Sequence, residues 1–518
     1  MAFYKDKYDV IVIGGALAGM SCAMQLASEG KDVLILERHN LPGGVATSFV
    51  RGGMEMEATL HEMMSIGPVD QPLPLRKYLD EMKVAIEWLR VPEAYDLVSP
   101  EDGINIQLHA GRRSDGTWVA ADEIEKQYPG SRDDVNALLE LCHKVYESVV
   151  YLNDHQISKL QMLKNHEELV KTAGYTTKEV MNTMFPKMSS KVKRILSAYW
   201  IYVGQPIASL PFTIYAFLMG DYMTGGSYVA RGYSHEIAVA MAERCLQMGV
   251  QIEYGQNVEK ILVRNGGVYG VRTAHGEEIH CDYVASGPYP NVVYGRMIEP
   301  QSEVPEKARR YANAMPMSVS CFSVVMLLDS RPEDLNIHSY SVFSSETSMN
   351  TVKFWKQGRK LGKWDYLTTI CLNFANPAGV PDGMTSLSIT TLPLPDCFDG
   401  VTADNYFEIK RKTAAQMIDQ VSRRLGVNLR DHIVEIEIET PVTIAHYTGS
   451  YRGGIYGYQH NMQNSIVARL SDIKRDTFIR GLVSCGSHQL AGDGMAVNVT
   501  NGRIAAMQIL AEMKEAET

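Results

Sequence analysis

Short apolar runs and helical stripes alternate over the first part of the chain. Tyr8-Asp9-Val10-Ile11-Val12-Ile13 is rich in β-branched residues and predicts a buried strand. Cys22, Ala23, Leu26 and Ala27 recur at helical spacing between Met20 and Glu29, with Gly30 placed to stop the helix. Asp32-Val33-Leu34-Ile35-Leu36 predicts a second buried strand. Residues 120–220 read as helical, with amphipathic stretches at Asp133–Asn153 and Gln156–Ala173. A helix over His235–Met248, ended by Gly249, leads into strands at Val250–Glu253, Val258–Val263, Val268–Arg272 and Ile279–Ser286. Asn265-Gly266-Gly267 between two of them predicts a hairpin turn. Residues 315–330, 366–375, 385–394 and 433–446 read as strands. A last strand, Gly481–Gly486, precedes a helix that opens at Gly492-Asp493-Gly494 and runs through Ile504 and Ala506.

One apolar stretch stands apart. Ile195–Gly220 carries no charge over 26 residues, enough by length to span a bilayer. Gly204, Gln205, Pro206 and Pro211 break a helix in its middle, so the stretch reads instead as the buried lining of an apolar ligand tunnel or a membrane-touching patch.

Composition narrows the classes. A chain of 518 residues exceeds one hydrophobic core, so two lobes are expected. The net charge of -10 argues against a nucleic-acid partner, which needs clustered Lys and Arg. The eight cysteines form no CxxC pair and lie mostly in apolar runs, as in a reduced cytoplasmic protein without a disulfide framework or metal site. Lys5 and Lys7 lead straight into the first strand without an apolar leader, so no signal peptide is expected.

The candidate chemistry begins in the first turn. Gly14-Gly15-Ala16-Leu17-Ala18-Gly19 joins strand to helix, and Glu37, followed by Arg38, ends the second strand 23 positions after Gly14. Gly14 permits the tight turn, Gly19 lets helix and strand approach, and the helix N-terminus offers N–H groups to a pyrophosphate. Glu37 stands where a carboxylate accepts the adenosine ribose hydroxyls. Ala16 replaces the usual middle glycine and leaves less room. NAD and FAD share this unit. The next segment, Pro42-Gly43-Gly44 followed by Val45, Ala46, Thr47, Ser48 and Phe49, lets the backbone run close to a longer cofactor. It continues as Gly52-Gly53-Met54-Glu55-Met56-Glu57-Ala58-Thr59-Leu60-His61-Glu62.

The run from Tyr8 to His61 resembles the phytoene desaturase, carotenoid isomerase and retinol saturase family of FAD enzymes. Its glycine turn, Ser48-Phe49 pair and Thr59-Leu60-His61 carry the likeness, while Glu57 stands where that family usually has Asp. Flavin amine oxidases share the glycine turn but usually place Arg where this chain has Val45. The resemblance implies a discontinuous Rossmann-like α/β lobe that binds FAD through 1–75, 225–290 and 475–518. It implies an α+β substrate lobe, a mixed sheet with a helical cap, through 76–224 and 291–474. It further implies cofactor contacts from Gly14, Ala16, Leu17, Ala18, Gly19, Glu37 and Arg38, and from Gly43, Gly44, Val45, Ala46, Thr59, Leu60 and His61. Val258 would offer its backbone to the adenine, with Ser286 and Gly287 beside it. Gly486, Gly494, Met495 and Ala496 would meet the flavin end, with Ser487 where many flavoproteins have an acid for the ribityl chain.

The expected reaction is saturation, desaturation or isomerisation of a carbon–carbon bond in a hydrophobic or conjugated substrate. His61, Glu62 and Tyr456 are the candidates for proton transfer, each with a plainer structural role open to it. Asp493, at a helix start, reads as a cap. With no second dinucleotide fingerprint, electrons are expected to pass to an external donor or acceptor. A peripheral membrane contact and a homo-oligomer stay open. The rival classes are a flavin amine oxidase and a non-redox escort or binding protein on the same fold.

Overall fold

The computed structural model describes residues 4–58, 62–155, 159–362, 364–470, 477–489 and 492–517. Thr59, Leu60 and His61 lie outside the described residues.

The first strand, β1 (Lys7–Ile13), helix α1 (Leu17–Ser28) and β2 (Val33–Leu36) form a parallel β-α-β unit, with Ile13 opposite Leu36. Gly30 takes the left-handed φ of +73° that ends α1. This unit sits inside an eight-stranded sheet. Next to β1 on the other side runs Glu278–Ser286, parallel, with Ser286 opposite Ile13. Beyond it lie the hairpin strands Gly267–Thr273 and Val258–Arg264, turned through Asn265 and Gly266, both at positive φ as the sequence requires. Gln251–Glu253 closes one edge against β2, and Ile298–Glu299 closes the other. Leu482–Ser484 returns from the far end of the chain to pair in parallel with Val284–Ser286. The helix Met495–Glu517 then packs along α1. Their contact is close because Gly502 has no side chain: a Cβ there would lie 2.0 Å from the Ala18 carbonyl oxygen.

A second, seven-stranded sheet runs in the order Ile433–Glu439, Phe322–Leu328, Thr385–Thr391, Tyr366–Cys371, Ser341–Ser345, Tyr95–Ser99 and Ile104–Leu108. It is antiparallel except where Ser341–Ser345 meets Tyr95–Ser99, which makes it mixed. Three of its strands, Tyr95–Ser99, Ile104–Leu108 and Ser341–Ser345, were not expected from the pattern. The strand expected over 433–446 stops at Glu439. Thr440 accepts from Thr443 N at 3.2 Å and Pro441 occupies the first turn, so a helix, Pro441–Thr448, follows instead.

The helical cap spans the expected region, led by the long helix Arg132–Asp154. The stretch expected as one helix over 156–173 is divided between Lys159–Asn165 and Glu167–Thr172. The uncharged stretch is broken where its glycine and prolines predicted, into a 3-10 turn, Ala198–Tyr202, and a helix, Phe212–Gly225. Among the described residues no helix is long and apolar enough to cross a membrane.

Candidate active site

The eight-stranded sheet with its loops, the cap and the helix Pro441–Thr448 line a cavity of about 760 Å³, within the size range of ligand sites. Its first wall is the β-α-β turn. Gly14 takes φ +103°, and a Cβ on Gly19 would lie 2.0 Å from the Gly14 carbonyl oxygen, so α1 can press on the turn only through glycine. Ala16 is the N-cap in extended conformation, with no side-chain cap and no acid in the first turn. The first N–H groups of α1 therefore keep their donors for a ligand, and nothing anionic competes. Gly14, Ala16, Leu17, Ala18 and Gly19 all line the cavity.

Glu37 lies at the end of β2 with its carboxylate buried in the same wall. Oε2 accepts from Gly15 N at 2.6 Å and Oε1 from His39 N at 2.8 Å, which fixes the group while leaving lone pairs for hydroxyl donors. Arg38 turns to the carbonyls of His446 and Tyr447, so it lines the cavity as a clamp on Pro441–Thr448. His39 completes the clamp, stacking on Tyr447 at 4.2 Å.

Gly43, Gly44, Val45 and Ala46 also line the cavity. Gly43 N donates to Gly15 O at 2.8 Å, which docks the second glycine turn on the first. The methyl of Ala16 finds its space here: a Cβ on Gly44 would stand 3.0 Å from it. Gly44 thus relieves the crowding that Ala16 introduces.

Val258 and Gly287 lie on the wall, as do Gly486, Gly494, Met495 and Ala496. Residues 14–19 and 493–498, far apart in sequence, share one cavity. Ser286 does not line it. It is the last residue of its strand, buried and paired with Ile13 and Ser484, and the wall begins one residue later at Gly287 and Pro288. Ser487 bonds to Asn498, Oγ to Nδ2, at 3.1 Å.

The opposite wall is apolar and aromatic. Tyr202, Val203, Ile214, Phe217 and Leu218 come from the broken uncharged stretch, in agreement with its reading as a tunnel lining, and Tyr222 follows just beyond it in the helix Phe212–Gly225. Glu62 is buried beside them. Met63 exchanges backbone hydrogen bonds with Tyr228, and Ser227 Oγ donates to Glu62 Oε2 at 2.9 Å. Oε1 is buried beside the Tyr202 hydroxyl, whose hydrogen bond to the carboxyl, like that of Ser227, favours the charged form. Burial lifts the Glu62 carboxyl to about 7, and the nearby Glu93 adds to the rise. Behind it Asp221 holds the backbone N–H of Ser65 at 2.7 Å and also its hydroxyl, fixing Ser65 at φ +64°. Burial raises Asp221 to about 6.

Tyr456 lines the cavity and is half-buried, and its hydroxyl has no hydrogen-bond partner among the described residues. Burial pushes its phenol up, as does the charge of Asp493. Asp493 is not a simple helix cap: its Oδ1 is 2.8 Å from His460 Nε2. Tyr202, Tyr222, His460 and Arg469 were not singled out from the sequence. The uncharged stretch was a signal for Tyr202, whereas Tyr222 lies beyond its end and His460 and Arg469 are isolated in sequence.

The residues present fit a dinucleotide: glycines where a Cβ would collide, an uncapped helix N-terminus and a held carboxylate stand in one wall. Comparison with known proteins agrees. The chain is 22% identical to All-trans-retinol 13,14-reductase of Danio rerio, over 93% of this chain and 82% of that protein. It is 23% identical to the chloroplastic prolycopene isomerase of Daucus carota, over 98% of this chain and 80% of that protein. To 4,4'-diaponeurosporene oxygenase of Staphylococcus haemolyticus it is 21% identical over 96% of both. Among solved structures it superposes on an oxidoreductase from Methanosarcina mazei with a TM-score of 0.61, at 14% identity over 97% of this chain and all of that one. Putrescine oxidase bound to putrescine gives 0.62, at 12% identity over 98% and 99%. The model of the family described as flavin containing amine oxidoreductase matches residues 17–396, and the chain belongs to that family as an FAD-dependent oxidoreductase.

Proposed function

We propose that this enzyme saturates, desaturates or isomerises a carbon–carbon double bond in a hydrophobic, conjugated substrate. The observation that carries this reading is the single cavity, with a dinucleotide wall of glycines and Glu37 facing an aromatic and aliphatic wall from Ala198–Tyr202 and Phe212–Gly225. Relatives named for retinol and for prolycopene support it.

In this reading the FAD lobe comprises 1–75, 225–290 and 475–518, with the substrate lobe in 76–224 and 291–474. Gly14 to Gly19 and Glu37 hold the pyrophosphate and ribose. Gly43 to Ala46 run along the second half of the cofactor, the Val258 backbone meets the adenine, and Gly486 and Gly494 to Ala496 meet the ring. Bound FAD supplies hydride transfer. The chain's own task is to hold an apolar bond at the ring, keep water out and move one proton. Glu62, a carboxyl that stays protonated near neutrality, is the proton carrier we assign. Tyr456 faces the same space as a second hydroxyl, and His61 precedes Glu62 in the chain. Electrons come from or go to an external partner, and the enzyme works in the cytoplasm with a peripheral membrane contact that delivers the substrate.

The test is anaerobic. Flavin reduced by dithionite is offered polyenes, enones and unsaturated acids, and reoxidation is followed by absorbance. Reoxidation by an unsaturated compound is expected. An enzyme that ignores all of them, but whose oxidised flavin is reduced by amines, is an amine oxidase instead.

A further inference from the structure

The cavity wall carries a buried polar chain that the proposed chemistry does not use. Asp493 lies two residues before the helix Met495–Glu517, with Oδ1 on His460 Nε2 at 2.8 Å. His460 Nδ1 is 3.0 Å from Arg469 Nη2, and Arg469 Nε donates to Asn464 Oδ1 at 3.1 Å. Arginine has only donors, so His460 Nδ1 must accept; the ring proton is then on Nε2 and is donated to Asp493. A neutral imidazole is thereby wedged between a carboxylate and a guanidinium.

The group is dry and held from several sides. His460 and Arg469 are each 3% exposed, and the Asp493 side chain 9%. Gly492 passes tightly over Arg469, at φ +103°, where a Cβ would lie 2.1 Å from Nη1. Asp493 Oδ2 is buried and has no hydrogen-bond partner among the described residues. Helix capping does not call for this arrangement, because Ser or Asn caps as well and an unsatisfied buried oxygen costs stability. The carboxylate's charge is felt across the wall: after burial, Asp493 is the next cause that raises the phenols of Tyr289 and Tyr456.

We propose that Asp493, His460 and Arg469 form an electrostatic device that sets the reduction potential of the bound flavin, with the Asp493 carboxylate held in place by His460, which Arg469 fixes in turn. The inference rests on the reading above that the ring lies at this wall. Reduction adds two electrons to the ring. A carboxylate nearby opposes that added charge, while the N-terminus of Met495–Glu517 favours it. In a dry cavity such interactions are far stronger than in water. Asp493 thus offsets the helix and keeps the reduced cofactor a strong donor. It is a positioning residue in this scheme and touches no reacting bond.

The experiment is a spectroelectrochemical titration of the FAD-loaded protein with indicator dyes. Asp493→Asn keeps the shape and the His460 bond but removes the charge. We expect a positive shift of midpoint potential with an unchanged ratio of flavin to protein. His460→Leu leaves the carboxylate without its donor and free to turn away from the ring, which shifts the potential in the same direction. His460→Gln, whose amide donates to Asp493 and accepts from Arg469, is expected to match the unsubstituted protein. An unmoved potential in Asp493→Asn, or a shift in His460→Gln as large as in His460→Leu, overturns the inference. Loss of flavin from Asp493→Asn in a chain that still melts cooperatively also overturns it, since the network is then structural support. If these potentials move as expected while no unsaturated compound turns over, the substrate reading fails and this inference stands.

Discussion

The two walls of the cavity are built on different principles. The wall made by Gly14–Gly19, Gly43 and Gly44 acts through backbone: positive φ, absent side chains and unused N–H groups. The wall made by Glu62, Tyr202 and Tyr222 acts through side chains, and it buries the Glu62 carboxyl where desolvation outweighs its hydrogen bonds from Tyr202 and Ser227. In the first wall the Glu37 carboxylate is held by two backbone N–H groups. The second stores unfavourable burial. The comparison separates recognition, which needs a rigid and satisfied surface, from proton chemistry, which needs a group whose charged form is disfavoured.

Breaking the first wall should have the largest effect. Gly19→Val drives a side chain into the Gly14 carbonyl, since even a Cβ would sit 2.0 Å away. Overpacking of this kind costs about 3 kcal/mol, and the purified variant should be colourless, with a lower Tm in a thermal melt.

Breaking the second wall should instead leave the flavin in place. Glu62→Gln should retain yellow colour but lose activity by roughly 100-fold, the scale of general acid catalysis. In the saturating direction the acid must be protonated, so the unsubstituted enzyme should slow as pH rises through about 7. A pH–rate profile of Glu62→Gln that keeps this limb would remove Glu62 from the role.

Stored burial also gives the fold a pH signature. Burial lifts Glu57 and Glu439 each to about 8. Both are raised, so the folded chain keeps their protons while the unfolded chain releases them from about pH 4.5 upward. Stability is therefore full below that pH and is lost as pH rises towards 8, by an amount on the order of a few kcal/mol. Denaturant titrations at pH 5 and pH 8 should show the loss, and Glu439→Gln should shrink it.

Smaller effects sharpen the contrast further. Asp221→Asn weakens the grip on Ser65 and should cost about 1–2 kcal/mol by urea unfolding, with a larger loss in turnover than in flavin content. Gly44→Ala should weaken FAD binding modestly, read from flavin fluorescence, because its Cβ meets Ala16 at 3.0 Å and its φ is +63°. Adding Ala16→Gly relieves the contact but leaves the strained φ, so recovery should be partial.

Legibility in the sequence followed the same division. Gly14, Gly19 and Glu37 could be assigned because the strand, turn, helix and acid are contiguous, and local spacing carries the geometry. At Ser286 and Gly287 the pattern ends a strand but does not say which terminal residue reaches the wall, and Gly287 lines the cavity. Tyr95–Ser99 and Ser341–Ser345 were missed as strands because they are short and hold several Ser, and the pairing that joins them, Val342 opposite Asp96, links remote parts of the chain. The cap assigned to Asp493 was a reasonable local reading that a distant His460 replaced.

Taken alone, the chain's residues determined the β-α-β unit, the break at Gly204 and Pro206, the hairpin at Asn265-Gly266 and the glycine turn at Gly43, because each depends on dihedral freedom or periodicity over a few residues. Folding alone decided that Glu62 would be stranded among tyrosines, that Gly44 would make room for Ala16, and that His460 would stand between Asp493 and Arg469. Those outcomes are matters of burial and contact between remote segments, and desolvation has no signature in a local pattern.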